Sequence, residues 1–443
     1  MPLPETTSDT VAPTAPTSNR SALLIVFLVV FIDLLGFGIV LPLLPRFADG
    51  YVKDVLAPFD WAPQNKERVA GLIIGLLMAS FSLMQFAFSP MWGRTSDRHG
   101  RRPILLMGLT GSVIFYALFG YALSPELKPS AGLALALFFV ARIGAGVAGA
   151  TIATAQAVIA DCTPPEKRKH GMALIGAAFG IGFTFGPLFG YASLGSDRHD
   201  FIGYTAAGLS LLALILGIVL LPETRKFDSA PPIKRAWLDF SAIRFAVGSA
   251  AIGPVILTFF LATLGFGAFE VTLSLLVRDT LQYELKDTLL IFAYIGFVLV
   301  LTQGFLYRRL AKRVSEATFI ALGIVFMAIG VGALGVMTYC ANLPDGPPLP
   351  LLPLLFLGAT AAVIGFSFLT PSTNALISRR TDENRQGEIL GVNQSAASLA
   401  RILGPILGVV LYKMTANHLL PYACGAAILL LMLPMVPRIR RGA

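Results

Sequence analysis

Charge is what this sequence has least of. Only 13% of its 443 residues are charged, against roughly 25% in ordinary soluble domains, while 55% are hydrophobic and the mean hydropathy is +0.74. That scarcity excludes water as the chain's main solvent. Cysteine is scarce as well. Cys162, Cys340 and Cys424 stand far apart, with no CxxC or metal-ligand spacing, which excludes a disulfide framework and a zinc site and leaves them as packing residues. A phosphate-binding Gly-x-x-x-x-Gly-Lys-Ser/Thr loop is missing, and so is a soluble stretch long enough to hold one, so ATP-driven pumping would need another subunit. Neither a metal cluster nor a nucleophile-and-base array falls in the apolar runs, so no cofactor, no metal and no enzyme chemistry is expected. The net charge of +9 is not a nucleic-acid footprint, because the charges lie in short clusters between apolar runs, where they orient helices in a membrane.

What the sequence has in abundance is long apolar runs. A helix crosses the bilayer core with about twenty mostly apolar residues, and such runs occur near 21–45, 69–91, 103–124, 131–161, 169–192 and 201–222, then near 248–277, 288–307, 316–340, 350–378, 386–412 and 418–437. Twelve transmembrane helices are therefore expected, in an all-α integral membrane fold. Residues 1–20, rich in Thr, Pro, Ser and Ala, read as a disordered cytoplasmic tail. The run that follows is too long for a signal-peptide core and ends in Leu44-Pro45-Arg46 instead of a small-residue cleavage site. With the amino terminus inside, 23 of the 34 Lys and Arg fall in cytoplasmic segments and 9 on the other side, which favours both termini in the cytoplasm.

The spans repeat. Leu35-Gly36-Phe37-Gly38 in span one returns as Leu264-Gly265-Phe266-Gly267 in span seven, and Gly186-Pro187 in span five returns as Gly404-Pro405 in span eleven. The loop Gly93-Arg94-Thr95-Ser96-Asp97-Arg98-His99-Gly100-Arg101-Arg102 after span two has a worn copy after span eight, Gly304 to Arg313. Three matches in order imply two pseudo-symmetric six-helix halves, 21–222 and 248–437, joined by a cytoplasmic linker at 223–247 and followed by a tail at 438–443. Halves of this kind place a site at their interface near mid-membrane and give alternating access by rocking.

The loop pattern at Gly93, Asp97, Arg98, Gly100, Arg101 and Arg102 resembles the signature loop of the major facilitator superfamily, and nearly the whole chain, Ser21 to about Pro437, fits that family. The resemblance implies that Asp97 and its arginines form a cytoplasmic latch between the halves, holding the outward-open state. Arg142-Ile143-Gly144-Ala145-Gly146 resembles a second motif of the superfamily, and Gly182 to Gly190, with Gly186 and Pro187, resembles one typical of its antiporters, which implies export. Physically, Gly182, Gly186 and Gly190 share a helix face that lets a neighbour approach closely, and Pro187 loosens the backbone. Span one, Phe31 to Pro45, looks like the first helix of the drug:proton antiporter branch, particularly the tetracycline-exporter group, with its acid at Asp33. The chain departs from that group in two ways: span three has no acid, and His99, His170, His199 and His418 are all expected outside helices. Both departures count against a tetracycline–metal substrate.

Ionising a side chain at mid-bilayer costs roughly 2.5 to 3.5 kcal/mol on insertion scales, so such residues mark function or pair with each other. Four stand inside the spans: Asp33, Arg142, Glu270 and Arg401. A carboxyl group that gains and loses an arginine partner can load and release a proton as the halves rock. Asp33 and Glu270 are therefore the expected proton-coupling acids, with Asp33 first and Arg142 tuning it. The alternatives are a fixed Asp33–Arg142 structural pair, an interfacial Glu270 and a snorkelling Arg401. Gln156 and Asn374 join these charges as candidate cavity groups, while Gln85, Gln303, Asn393 and Gln394 have structural roles open to them. The expected activity is export of a small hydrophobic or amphiphilic, drug-like organic compound in exchange for protons, by a monomer in the cell (inner) membrane. Proton symport or facilitated uptake of a small metabolite, and a non-transporting membrane receptor, are the alternatives.

Overall fold

The computed structural model describes residues 20–163, 168–194, 198–225, 244, 248–344, 346–381 and 386–441. The expected tail before Arg20, most of the 223–247 linker and residues 442–443 lie outside the described residues. Spans one to six are α1 (Arg20–Val40), α3 (Pro63–His99), α4 (Arg101–Ala122), α5 with α6 (Ala131–Gly149, Ile152–Asp161), α7 (Arg168–Ser193) and α8 (Phe201–Leu220). Spans seven to twelve are α9 (Gly253–Leu281), α10 (Leu285–Leu301), α11 (Glu316–Ala341), α12 (Leu351–Arg379), α13 (Gln386–Met414) and α14 (Leu420–Met432), with α15 (Val436–Arg441) closing the chain. Among the described residues, eleven segments are long and apolar enough to cross a membrane, and α7 occupies the remaining place in the order. A chain surrounded by hydrocarbon must satisfy its peptide groups internally, which is why the apolar runs are helices and the described residues include no strand.

Several helices differ from the expected spans. The 37 residues of α3 extend about 55 Å at 1.5 Å per residue, well beyond a core of about 30 Å, because its polar ends run into water. His99 is accordingly the last residue of α3, and His170 lies in the first turn of α7, so the expectation that all four histidines lie outside helices is corrected at these two. Span four breaks at Ala150-Thr151, and span eight leaves α geometry for a π-helical turn at Thr302–Tyr307. The stretch after α1 forms helix α2 (Leu44–Leu56). Its buried Leu44, Ala48, Val52 and Leu56 recur every four residues and lay one face on the bundle.

In each half the repeated glycine elements meet in a close backbone-to-backbone crossing. In the first half α1 crosses α7: a Cβ on Gly38 would fall 2.7 Å from the Gly182 carbonyl oxygen, and one on Gly186 would fall 2.8 Å from the Gly38 Cα. In the second half α9 crosses α13: a Cβ on Gly404 would fall 2.7 Å from the Leu264 carbonyl oxygen, and one on Gly408 would fall 2.8 Å from the Ala268 Cα. The repeated sequence elements thus meet their repeated partners. Packing α3 on α13 and α7 on α10 joins the halves, with Gly75 against Ile406 and Gly296 against Phe183.

Substituting Gly186 by Ala inserts a methyl where the Gly38 backbone already sits and is expected to cost about 1–3 kcal/mol. Gly265→Ala, where nothing lies within 4 Å, should leave stability unchanged or slightly raised. Melting temperatures of the two purified variants in detergent test the contrast, and equal behaviour would contradict the close α1–α7 crossing.

Candidate functional site

The four intramembrane charges divide into two groups. Asp33, on α1, is half-buried, accepts a hydrogen bond from Ser210 Oγ of α8 at 3.1 Å and is also bonded by Ser112 of α4. It faces the interior of the first half, between spans one, three and six. Arg142 is not among the groups that act on it; Tyr116, one turn from Ser112, lies near both. The fixed Asp33–Arg142 ion pair, the alternative to a proton-coupling Asp33, is not found among the described residues.

Arg142, on α5, is 3% exposed and stands 4.6 Å over the ring of Phe81 from α3. Its Nε is buried without a hydrogen-bond partner, and its Nη2 makes only a long 3.4 Å bond to the Met78 carbonyl. Its charge interacts with Glu270 of α9, and Glu270 interacts in turn with Arg401 of α13. Glu270 is therefore within electrostatic range of a cation of its own half and a cation of the other half, with no ion pair to either among the described residues. Arg401 is exposed and donates to Ser398 Oγ at 3.2 Å. Asn374 and Gln156 are also exposed, and Asn374 Oδ1 accepts from the buried Asn393 at 2.9 Å. Aromatic rings flank the centre: Phe37 lies 5.0 Å from Phe81 and 5.8 Å from Phe183, and Phe266, its repeat counterpart, stacks on Phe366 at 4.0 Å.

The signature loop is organised by Arg101. This arginine is 6% exposed; it pairs with Asp97 at 2.6 Å and with Asp161 of α6 at 3.1 Å, and it donates to Ser96 Oγ at 2.7 Å. Glu223, just after span six, accepts from the backbone N–H groups of Arg101 and Arg102 at 2.9 and 3.1 Å, capping the start of α4. Gly100 has φ +100°, a backbone conformation that favours glycine, and the Glu223 carboxylate lies close against it. Gly93 has nothing within 4 Å of its would-be Cβ, and Asp97 and Arg98 are exposed. Glu223 and Asp161 were not singled out from the sequence; the signal was a carboxylate just beyond the end of an apolar run, near the arginines on the same side.

The ends of the molecule are not equivalent. Among the described residues, the ion pairs on the side of the termini stay within one half: Arg101 with Asp97 and Asp161, and Arg379 with Glu316. On the side of α2, Arg278 and Lys413 of the second half pair with Asp49 of the first, and Arg46 donates to Thr288 at 3.2 Å. The halves are thus pinned together at the α2 end.

Comparison with known proteins agrees with this architecture. A family model described as Major Facilitator Superfamily matches residues 26–405 and 309–442. The chain is 32% identical over 428 residues to the class C tetracycline resistance protein of Escherichia coli, covering 96% of this chain and 98% of that one. It is 29% identical over 452 residues to major facilitator superfamily domain-containing protein 10 of Mus musculus, covering 94% and 92%. Among solved structures, the human organic anion transporter MFSD10 superposes with a TM-score of 0.63 at 24% identity, over 94% of this chain and 99% of that one. A D-xylose–proton symporter superposes with a TM-score of 0.75 at 17% identity, over 95% and 97%.

Partial burial works against the charge of Glu223, but the bonds from the Arg225, Arg101, Arg102 and Thr224 backbone outweigh it and hold the carboxyl below its usual range. A carboxyl held low in the folded state adds stability that is present above its unfolded value of about 4.3 and is lost as pH falls through the lower folded value. Glu223→Gln is expected to cost about 1 kcal/mol at neutral pH. Its deficit against the parent in thermal melts should shrink once the pH falls below about 4.

Proposed function

The chain belongs to the Major Facilitator Superfamily, and we propose that this multi-pass membrane transporter exports a small hydrophobic or amphiphilic, drug-like compound in exchange for protons. Its relatives and structural neighbours are transporters, and it is a transporter of small molecules and not an enzyme. The observation that carries the proposal is that Glu270, an acid inside a span, is within electrostatic range of Arg401 of its own half and of Arg142 of the other. When the halves rock, Arg401 travels with Glu270 and Arg142 does not. A carboxylate whose cationic company differs between the two states holds a proton differently in each, which is the requirement for coupling. Asp33, hydrogen-bonded to Ser210 and lying, like Arg142, near Tyr116, is the second proton-binding group.

The rings of Phe37, Phe81, Phe183, Phe266 and Phe366 beside these charges supply an apolar wall for an amphiphile, with Gln156, Asn374 and Arg401 as polar contacts. Gly182, Gly186, Pro187 and Gly190 form the antiporter-type helix face. With both termini in the cytoplasm of a cell (inner) membrane and a monomer as the working unit, the conformation described is inward-facing. Asp97, Arg98, Arg101 and Arg102 then form the unclosed latch, and the open space at Gly93 is where the second half docks in the opposite state. The boundaries 21–222, 223–247 and 248–437 are those of the first half, the linker and the second half.

A second reading has its own support. Two arginines against one glutamate leave the centre with an excess of positive charge, and the superposed human MFSD10 is an organic anion transporter. An anionic substrate that takes the arginines from Glu270 would move together with a proton instead of against one.

Proteoliposomes with an acidic interior, challenged with lipophilic cations, antibiotics and organic anions, separate the readings. Antiport predicts that a substrate collapses the pH gradient with the parent protein, whereas Glu270→Gln retains substrate exchange but moves no protons; Asp33→Asn should weaken coupling. Proton movement in the same direction as an anion would favour the second reading. Substrate flux with unchanged proton movement in both variants would refute proton coupling by these acids.

A further inference from the structure

Helix α2 carries an acid on its buried face. Asp49 is 1% exposed, between Ala48 and the buried turn at Val52, in a helix whose Lys53 and Asp54 are exposed. An unpaired carboxylate in that position would be costly. It is instead held by three cations: Lys413 Nζ at 2.6 Å, Arg278 Nη2 at 2.8 Å and Lys53 Nζ at 3.2 Å. Lys413, its side chain 3% exposed, also pairs with Glu67 at 2.9 Å, and Arg278 Nε pairs with Asp279 at 2.6 Å. Tyr412 donates to the other Asp279 oxygen at 3.0 Å. Burial alone would oppose charge on Asp49, but Lys413 and Arg278 outweigh it and hold the carboxyl below the usual carboxylate range, so the group is an anion at neutral pH.

The membership of this cluster is its main feature. Asp49 and Glu67 belong to the first half, while Arg278 on α9 and Lys413 on α13 belong to the second, so every rocking motion that parts the halves at this end pulls the cluster apart. Beside it α3 and α13 touch closely: a Cβ on Gly71 would fall 3.1 Å from Lys413 Cβ and from the Val409 carbonyl oxygen. A buried ion cluster adds little net stability, because desolvation offsets attraction, but removing one partner is costly since a charge is left buried and alone. Such a cluster therefore selects a geometry more than it strengthens one.

We propose that Asp49 is the pin of an outer gate: α2 is a strap of the first half whose carboxylate clamps α9 and α13 of the second, biasing the transporter toward the state closed at this end. The latch loop at Asp97 and this pin lie at opposite ends of the halves, so each stabilises the state in which the other is undone. The pin depends on alternating access alone and not on the identity of the substrate or on proton coupling.

The test needs no substrate. Val409, fully buried beside Gly71, is replaced by Cys in a background with Cys162, Cys340 and Cys424 changed to Ala, and labelling by a membrane-impermeant maleimide is followed in right-side-out and everted vesicles. Labelling should be slow in this parent and at least about tenfold faster with Asp49→Asn, which leaves the buried Lys413 and the half-buried Arg278 without their shared anion. The acceleration should occur from the one face on which α2 lies. Lys53→Ala, at a lysine side chain 52% exposed, should match the parent, since exposed pairs contribute little. If Asp49→Asn does not accumulate in the membrane, Lys413→Gln, which leaves Arg278 on Asp49, should accelerate labelling to a smaller extent. Unchanged labelling in whichever variant folds, or an equal acceleration by Lys53→Ala, would overturn the pin.

Discussion

Hydrocarbon offers a peptide chain no hydrogen bonds and gives apolar side chains no reason to prefer one another over lipid. Everything in this molecule follows from that constraint. The peptide groups are satisfied inside helices, and helix association must come from shape, which means that backbones approach where a side chain would intervene. The crossings of α1 with α7 and of α9 with α13 are of this type, with glycine backbones nearly touching. That the same crossing occurs in both halves, between the same repeated elements, makes the two bundles similar rigid bodies. The α3–α13 and α7–α10 contacts between halves also use small residues, Gly75 and Gly296, so the joint is tight.

The constraint also governs charge. A charge in this environment needs company, and each buried or intramembrane ion here keeps company of a different kind. Arg101 is saturated inside one half by Asp97, Asp161 and Ser96. Asp49 draws its counter-ions across the interface. Arg142 is under-satisfied, resting on the face of Phe81 with a partnerless Nε. Groups satisfied within one half travel with it and cannot report its motion. Groups satisfied across the interface change surroundings whenever the halves move, and these are where gating and ion coupling would be found.

The sequence carried the architecture well, because span length and repeat order are local or one-dimensional properties. Eleven of the twelve expected runs appear as segments able to cross a membrane, and α7 stands in the twelfth place. The sequence also carried the list of intramembrane ions, since an acid or arginine inside an apolar run is conspicuous. It was less informative at the ends of runs. Arg278, Lys413 and Lys53 counted as outer-side topology charges, and nothing local marked them as partners of Asp49. Glu223 looked like one more polar residue after a span, although it caps the start of α4 through the backbone N–H groups of Arg101 and Arg102.

What the sequence determined by itself, then, is the number of helices, their pairing into two related halves and the identity of the residues that cannot be idle in a membrane. Only the tertiary structure decided who meets whom. Asp33 turns toward Ser112, Tyr116 and Ser210 and not toward Arg142, while Glu270 lies with Arg142 and Arg401. The physical reason is that a partner across more than a hundred residues is set by the rotation of each helix about its axis and by how closely two backbones can approach. Those quantities depend on all the packed faces together and on no single stretch of chain.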